Sequence, residues 1–361
     1  MNPSILAIAT AVPSHSFFQQ DIAEKMVDIL HLDQEKAKQL RKIYENSAIQ
    51  KRHSVIEDFK KDRPDWNFWG SDYPKNIPGM TKRNALFKEE APKLAHECAE
   101  KVLKNWQGDP KNITHLIFIS CTGLVAPGIE FELMQKLNLN PNVNRLGINF
   151  MGCFGAFKGL SVGSAFAREN PKNRVLVVCT ELCSLHFQNT LNLDNLVGNS
   201  LFSDGSAAVI LGTEPQPFEK PLWSIVRNSS IAMDDTRDKM SWEASDHGFL
   251  MTLSQQVPVL LKRHIGAFAQ TILGKEASSE ECDWAIHPGG KSILQAIEKA
   301  MKLSTMQTQS SWDTLANYGN MSSATFLFVL ERLHQLQTSK SWTLGVGFGP
   351  GLSMEGILLK K

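Results

Sequence analysis

The sequence carries no surplus of either charge: 38 Lys plus Arg against 37 Asp plus Glu leave a net charge of +1. A nucleic-acid binder shows a strong basic excess, so that class is set aside and no nucleic-acid partner is expected. No apolar run reaches the roughly 20 residues that a membrane-spanning helix needs. The first residues, Met1-Asn2-Pro3-Ser4-Ile5, lack the basic region of a secretory signal, which reads as a soluble cytoplasmic protein without a membrane span. Cysteines are few, six in 361 residues, and none form a CxxC pair. The histidines make no H-x-H or H-x-x-x-H cluster. A disulfide scaffold and a structural zinc site are therefore not expected. Hydrophobic residues at 42% and charged residues at 21% are ordinary globular usage, which excludes disordered and fibrous chains.

What remains is a chain long enough for two domains. Residues 113–120, 173–179, 206–211 and 341–346 are compact apolar runs rich in β-branched side chains, which predict buried strands. Helical periodicity covers 83–105 and 154–169. Continuous apolar strands alternating with amphipathic helices place the chain in the α/β class, with sheets covered by helices. A stretch with three prolines, 213–221, reads as a linker between an N-terminal half, 1–213, and a C-terminal half, 223–361. Residues 61–80 hold Trp66, Phe68, Trp69 and Tyr73 among prolines, and these aromatics are expected to cover the core or a partner subunit.

Four segments could carry chemistry. In Asn149-Phe150-Met151-Gly152-Cys153-Phe154-Gly155 a strand turns into a helix with a thiol at the turn. Orphan N–H groups and the positive helix end at such a place lower a thiol's pKa; the alternative is a buried cysteine at a tight turn. Asp283-Trp284-Ala285-Ile286-His287-Pro288-Gly289-Gly290 delivers His287 at the end of a short strand, where it either faces a site or serves as a structural histidine. Asn320, in Tyr318-Gly319-Asn320-Met321-Ser322-Ser323, precedes a helix and reads alone as an N-cap. Gly345-Val346-Gly347-Phe348-Gly349-Pro350-Gly351 is followed by an apolar strand, 354–359, and not by a helix, so it is no dinucleotide fingerprint.

Together and in this order, these segments resemble the type III polyketide synthases, the chalcone synthase-like enzymes of the thiolase superfamily. The resemblance runs from Ala7 to Glu355 and includes Leu201-Phe202-Ser203-Asp204-Gly205-Ser206-Ala207-Ala208-Val209. Glu181-Leu182-Cys183-Ser184-Leu185 is closer to bacterial members. The resemblance implies a layered α-β-α-β-α fold of two similar halves. It implies a homodimer acting on acyl-CoA and malonyl-CoA with no metal or flavin cofactor. By the same resemblance Cys153 is the nucleophile, paired with His287, while His287 and Asn320 hold the enolate formed when malonyl-CoA loses carbon dioxide. Phe202 falls on the gatekeeper phenylalanine.

Several positions depart from the family pattern. Ala126 stands where plant members carry a methionine reaching into the neighbouring subunit. Met251 replaces a second gatekeeper phenylalanine, and His186 a cavity threonine. Ser322, beside Asn320, is a further substrate-side residue. On the phosphate side Lys42 keeps a basic position, whereas Gln39 and Asn46 replace lysines; Lys38, Arg41 and Lys51 either compensate or form a solvated face. Ala126 and Met251 lead to an expected aliphatic starter, medium to long, ending in an alkyl pyrone or resorcinol. The alternatives are an aromatic or malonyl starter, or a ketoacyl-carrier-protein synthase III-like condensing enzyme, which differs after the histidine. A catalytically dead binding subunit and a papain-like hydrolase fit less well.

Overall fold

The computed structural model describes residues 2–361. Its strands in chain order are β1 (Ser4–Ala11), β2 (Ser16–Phe18), β3 (Lys51–His53), β4 (His115–Ser120), β5 (Asn144–Asn149), β6 (Arg174–Leu182), β7 (Asp204–Gly212), β8 (Trp223–Ala232), β9 (Met240–Ser245), β10 (Gly248–Leu253), β11 (Cys282–Ile286), β12 (Trp342–Gly349) and β13 (Ser353–Lys360). Nine of them form one mixed sheet in the order β11-β12-β13-β8-β1-β7-β6-β4-β5. The N-terminal five strands and the C-terminal four meet only through β1 and β8, at Ser4 opposite Ser224 and Ile5 opposite Trp223. Each expected strand is present; the one expected at 113–120 is shorter, His115–Ser120, while β6 and β7 run further than their apolar stretches, through buried polar residues such as Thr180, Glu181 and Asp204.

The alternation of side chains along these strands builds three cores rather than one. In β4, Leu116 and Phe118 face the long helix Met80–Trp106, while Ile117 and Ile119 face the opposite way. That second core is closed by two central helices, Gly155–Glu169 and Thr325–Leu336, and it takes Ile357 and Leu359 from the C-terminal strands. The third lies on the outer face of the C-terminal strands, where Leu344, Val346 and Leu358 meet the helices Val257–Leu273 and Lys291–Met301. Helix, sheet, paired central helices, sheet and helix make five layers, the thiolase-like α/β fold.

The glycines of β12 explain how the centre closes. A Cβ on Gly347 would lie 2.4 Å from the Phe157 ring, and one on Gly345 would lie 2.7 Å from Phe326. Bare backbone on that face lets both central helices approach, and their Phe157 and Phe326 rings sit 4.0 Å apart. The aromatics of residues 61–80 are buried into the first core. The stretch 213–221 connects the halves but is pinned: Glu219, its side chain fully enclosed, takes two 2.7 Å bonds from Arg174 and one of 2.7 Å from Trp106 Nε1. Composition reads this stretch as a free linker because a single buried glutamate leaves no trace in proline content. No helix among the described residues is long and apolar enough to cross a membrane.

Candidate active site

Three turns meet at the site: a strand-to-helix turn from the N-terminal half carries Cys153, and from the C-terminal half come the strand-to-helix turn after β11 with His287 and a helix-to-helix turn with Asn320. In the N-terminal half, β5 runs out at Asn149 and the chain passes through two left-handed residues, Phe150 at φ 57° and Gly152 at φ 73°. A non-glycine residue with positive φ is strained, and such strain concentrates at functional sites. Gly152 is required twice over, since a Cβ there would also lie 2.3 Å from Pro350 Cδ. Its N–H donates to Cys121 Sγ at 3.0 Å. A single 3₁₀ turn, Gly152–Phe154, then leads into the central helix, so Cys153 lies one turn ahead of the α-helix proper.

The C-terminal half brings the other two residues. His287 follows β11 directly, its N–H donating to Val346 O at 2.8 Å, and the side chain is 1% exposed with neither ring nitrogen partnered. Asn320 does cap its turn: Oδ1 accepts from Ser322 N at 2.9 Å. Its amide nitrogen reaches Gly289 O at 3.4 Å, linking the asparagine segment to His-Pro-Gly-Gly. The Asn320 backbone also bridges to Phe202, through Asn320 N to Leu201 O and Ser203 N to Asn320 O, each 2.9 Å.

Electrostatics correct one expectation. A helix-end thiol was expected below its ordinary pKa, paired with an imidazole. Instead, burial pushes the Cys153 thiol up to about 11, against hydrogen bonding from Ser322 and Asn320 that pulls it down. Burial also drives the His287 imidazole down to about 3. Desolvation of both charges opposes the field of the one short turn.

Cys153, His287, Asn320, Phe202 and Met251 line one cavity of about 810 Å³. Its deep walls are apolar, among them Leu201, Val257 and Phe348. Its mouth carries Lys42, Gln39 and Asn46 as read from sequence, and adds Lys291 from the first turn of the helix after His-Pro-Gly-Gly. Of the candidates to compensate for the missing lysines, Arg41 is engaged elsewhere, with bonds of 2.6 and 2.7 Å to Glu24. Ala126 is exposed and does not line the cavity of its own chain.

Behind Cys153 lie two small hollows. One of about 30 Å³ touches Cys153, Ser322, Phe202, Met251 and Trp242. Another of about 50 Å³ shares Phe202, Met251 and Trp242 and is reached by His186. His186 is locked: Nδ1 accepts from Phe249 N at 3.1 Å, which leaves Nε2 to donate to Thr122 O at 2.7 Å. Burial takes its pKa down to about 3, and its ring stacks on Phe249 at 4.3 Å. Trp242, absent from the sequence reading, is the largest side chain separating the two hollows, with its indole N–H on Cys121 O at 2.8 Å. The signal was available in the β9–β10 hairpin, where Trp242 sits directly opposite Met251 and so shares its face.

A thiol, an imidazole and an amide lining one cavity of this five-layered fold suit a condensing enzyme of the thiolase fold, an acyltransferase in reaction class. Family models place the particular branch: residues 2–215 match the N-terminal domain of chalcone and stilbene synthases and residues 225–361 match their C-terminal domain. The chain belongs to that family, the chalcone synthase-like type III polyketide synthases. It is 34% identical to the probable polyketide synthase 1 of Dictyostelium discoideum over 99% of this chain, but spans only 11% of that much longer protein. Among solved structures, the C-terminal type III polyketide synthase domain of Steely1, a type I/III hybrid from Dictyostelium, superimposes with a TM-score of 0.93 at 33% identity, covering 100% of this chain and 99% of that one. PKS-I from the brown alga Ectocarpus siliculosus gives a TM-score of 0.93 at 30% identity, covering 100% and 98%.

Proposed function

We propose that this synthase loads an aliphatic acyl-CoA on Cys153, extends it by decarboxylative condensation with malonyl-CoA, and releases an alkyl pyrone or alkyl resorcinol. The observation that carries this reading is the single cavity shared by Cys153, His287, Asn320 and Phe202, apolar in its depth and lysine-bearing at its mouth. Lys42 and Lys291 make no side-chain hydrogen bond or ion pair among the described residues, which leaves both ammonium groups for the phosphates of coenzyme A.

Cys153 gives its proton to His287, and the sulfur attacks the carbonyl carbon of the arriving thioester. The carbon–sulfur bond to coenzyme A breaks, and His287 returns the proton to the departing thiolate. Malonyl-CoA then occupies the cavity, and the apolar Phe202 ring disfavours solvation of its carboxylate. As carbon dioxide leaves, the electron pair moves onto the thioester oxygen. Two donors are placed to hold it: an N–H of His287 and the Asn320 amide, whose bond to Gly289 O is long. The enolate carbon attacks the acyl-Cys153 carbonyl, a carbon–carbon bond forms, and the Cys153 sulfur is freed for the next round. Cyclisation uses the same cavity, with no metal or flavin.

An aliphatic starter is favoured over an aromatic one because Trp242, His186 and Phe249 already fill the flat space beside Phe202 with rings. A methylene chain can thread what remains, gaining about 0.8 kcal/mol per buried CH₂. The protein is proposed to act as a homodimer through β5, an edge strand whose residues are mostly exposed and which is flanked by exposed Leu124 and Phe150. Mass spectrometry of products from saturated acyl-CoAs of increasing length, beside 4-coumaroyl-CoA and malonyl-CoA alone, tests the reading. Highest kcat/KM is expected for a saturated starter; a maximum with 4-coumaroyl-CoA, or with malonyl-CoA as its own starter, would overturn it.

A further inference from the structure

Behind the Phe202–Asn320 bridge lies a buried guanidinium that the reaction scheme above does not use. Arg52, 6% exposed, leaves the short strand β3 and points at the end of the helix Leu193–Leu201. Its Nη1 donates to Phe202 O at 2.7 Å and to Asn199 O at 2.8 Å, while Nε donates to Gln19 Oε1 at 2.8 Å. Gln19 completes the cradle, its amide donating to Ser200 O at 2.8 Å, and the Tyr44 hydroxyl adds a second donor to Asn199 O. The last carbonyls of a helix are its negative end, so a cation there is favourable on both hydrogen-bonding and dipole grounds.

The position is unusual in what stands on the other side. Leu201 and Ser203, on either side of Phe202, make the two 2.9 Å backbone bonds to Asn320. The aliphatic part of Arg52 also packs under Gly319, where a Cβ would lie 3.1 Å from Arg52 Cγ and 2.9 Å from Leu201 O. One guanidinium therefore backs the gatekeeper carbonyl and supports the turn of the asparagine. Neither Cys153 nor His287 is bonded to it.

We propose that Arg52 is a positioning residue for decarboxylation: it fixes Phe202 and Asn320 relative to one another, and leaves the loading of Cys153 to other supports. The inference rests on the proposed use of malonyl-CoA. A displacement of about 1 Å at reacting groups can cost about 100-fold in rate, so loss of the guanidinium should fall on the malonyl step.

The test separates two half-reactions in wild type, Arg52→Lys and Arg52→Met, with Gln19→Met as a milder variant that removes the Nε partner. Loading is read as the rate of Cys153 acylation by an acyl-CoA alone, using intact-protein mass. Decarboxylation is read as carbon dioxide release from malonyl-CoA, with kcat and KM resolved. Arg52→Met is expected to lose about 100-fold in decarboxylation kcat with KM and loading nearly unchanged. Arg52→Lys is expected to recover part of that, and Gln19→Met to show the same selectivity at smaller size. Equal losses in both half-reactions, or no loss in either, would overturn the proposal. Should Arg52→Met fail to fold, Gln19→Met decides by the same ratio. A wild-type enzyme that acylates Cys153 but releases no carbon dioxide from malonyl-CoA would instead break the underlying reading, and this inference with it.

Discussion

The two halves each deliver a reactive side chain from a turn that enters a central helix, yet the turns are stabilised with different emphasis. Around Cys153 the turn is made by missing atoms: Gly152 at φ 73° sits against Pro350, and Gly349 leaves room for the Phe154 ring at 2.6 Å from its would-be Cβ. Around Asn320 one glycine is also needed, Gly319 at φ 69°, but here bonds are added to the missing atoms. Met321 N donates to Thr325 Oγ1 at 2.8 Å, and Ser322 N donates to Asn320 Oδ1 at 2.9 Å. Space suits a nucleophile that must accept a bulky acyl group. Bonding suits an amide whose task is to stay where charge will develop.

The largest effects should come from removing the reactive atoms. Cys153→Ala is expected to abolish acyl-enzyme formation and chain extension, with little change in urea unfolding, since only Ser322 and Asn320 bond to the thiol. Intact-protein mass after incubation with acyl-CoA reads this directly; a persistent adduct would move the nucleophile elsewhere. Asn320→Ala should slow decarboxylation by about 100–1000-fold, the usual cost of one oxyanion donor, while slow acylation of Cys153 survives. Decarboxylation at the wild-type rate in Asn320→Ala would remove its proposed role.

The contrast between the turns is sharpened by two substitutions that leave the reactive groups in place. Gly152→Ala adds a Cβ at 2.3 Å from Pro350 and forces a left-handed alanine. It should cost at least about 2 kcal/mol in urea unfolding, from overpacking and backbone strain together. Thr325→Val keeps the shape and strands the buried Met321 N–H, at about 1–2 kcal/mol. If the order were reversed, space would not be what defines the first turn.

How far the sequence was legible follows the same divide. Apolar runs announced the strands and Gly152 the tight turn at Cys153, whereas the glycines at 345, 347 and 349 were read only as no dinucleotide fingerprint, and the folded chain shows that they let the central rings approach. Polar organisation was far less visible. Arg52 and Glu219 look like surface charges in a string of letters, and only the folded chain shows them enclosed. Trp242 was passed over because a lone tryptophan in a short hairpin carries no periodic signal, although the register opposite Met251 places it on the cavity face. The direction of the Cys153 pKa was misjudged for a related reason. A helix end can be read from local sequence, whereas the depth of burial that opposes it is a property of all five layers.

That opposition gives the smallest and most exacting prediction. Alkylation by iodoacetamide follows the thiolate, whose fraction rises tenfold per pH unit below the pKa. Cys153 lies at about 11, lower than Cys98 and Cys282 at about 12, and the thiols of Cys121, Cys179 and Cys183 are pushed well above the ordinary value by burial. Cys153 should therefore be labelled first of the six, but slowly, and its rate should climb about tenfold per unit from about pH 7 to about pH 9. His287, held neutral down to about 3, adds no inflection in that range. A rate already level at neutral pH would mean that an imidazolium holds the thiolate before substrate arrives, and that the N-terminal turn is stabilised by charge as the C-terminal one is by bonds. Asn320→Ala and Ser322→Ala remove hydrogen bonds that pull the thiol down, so each should slow labelling by a few-fold without changing the slope.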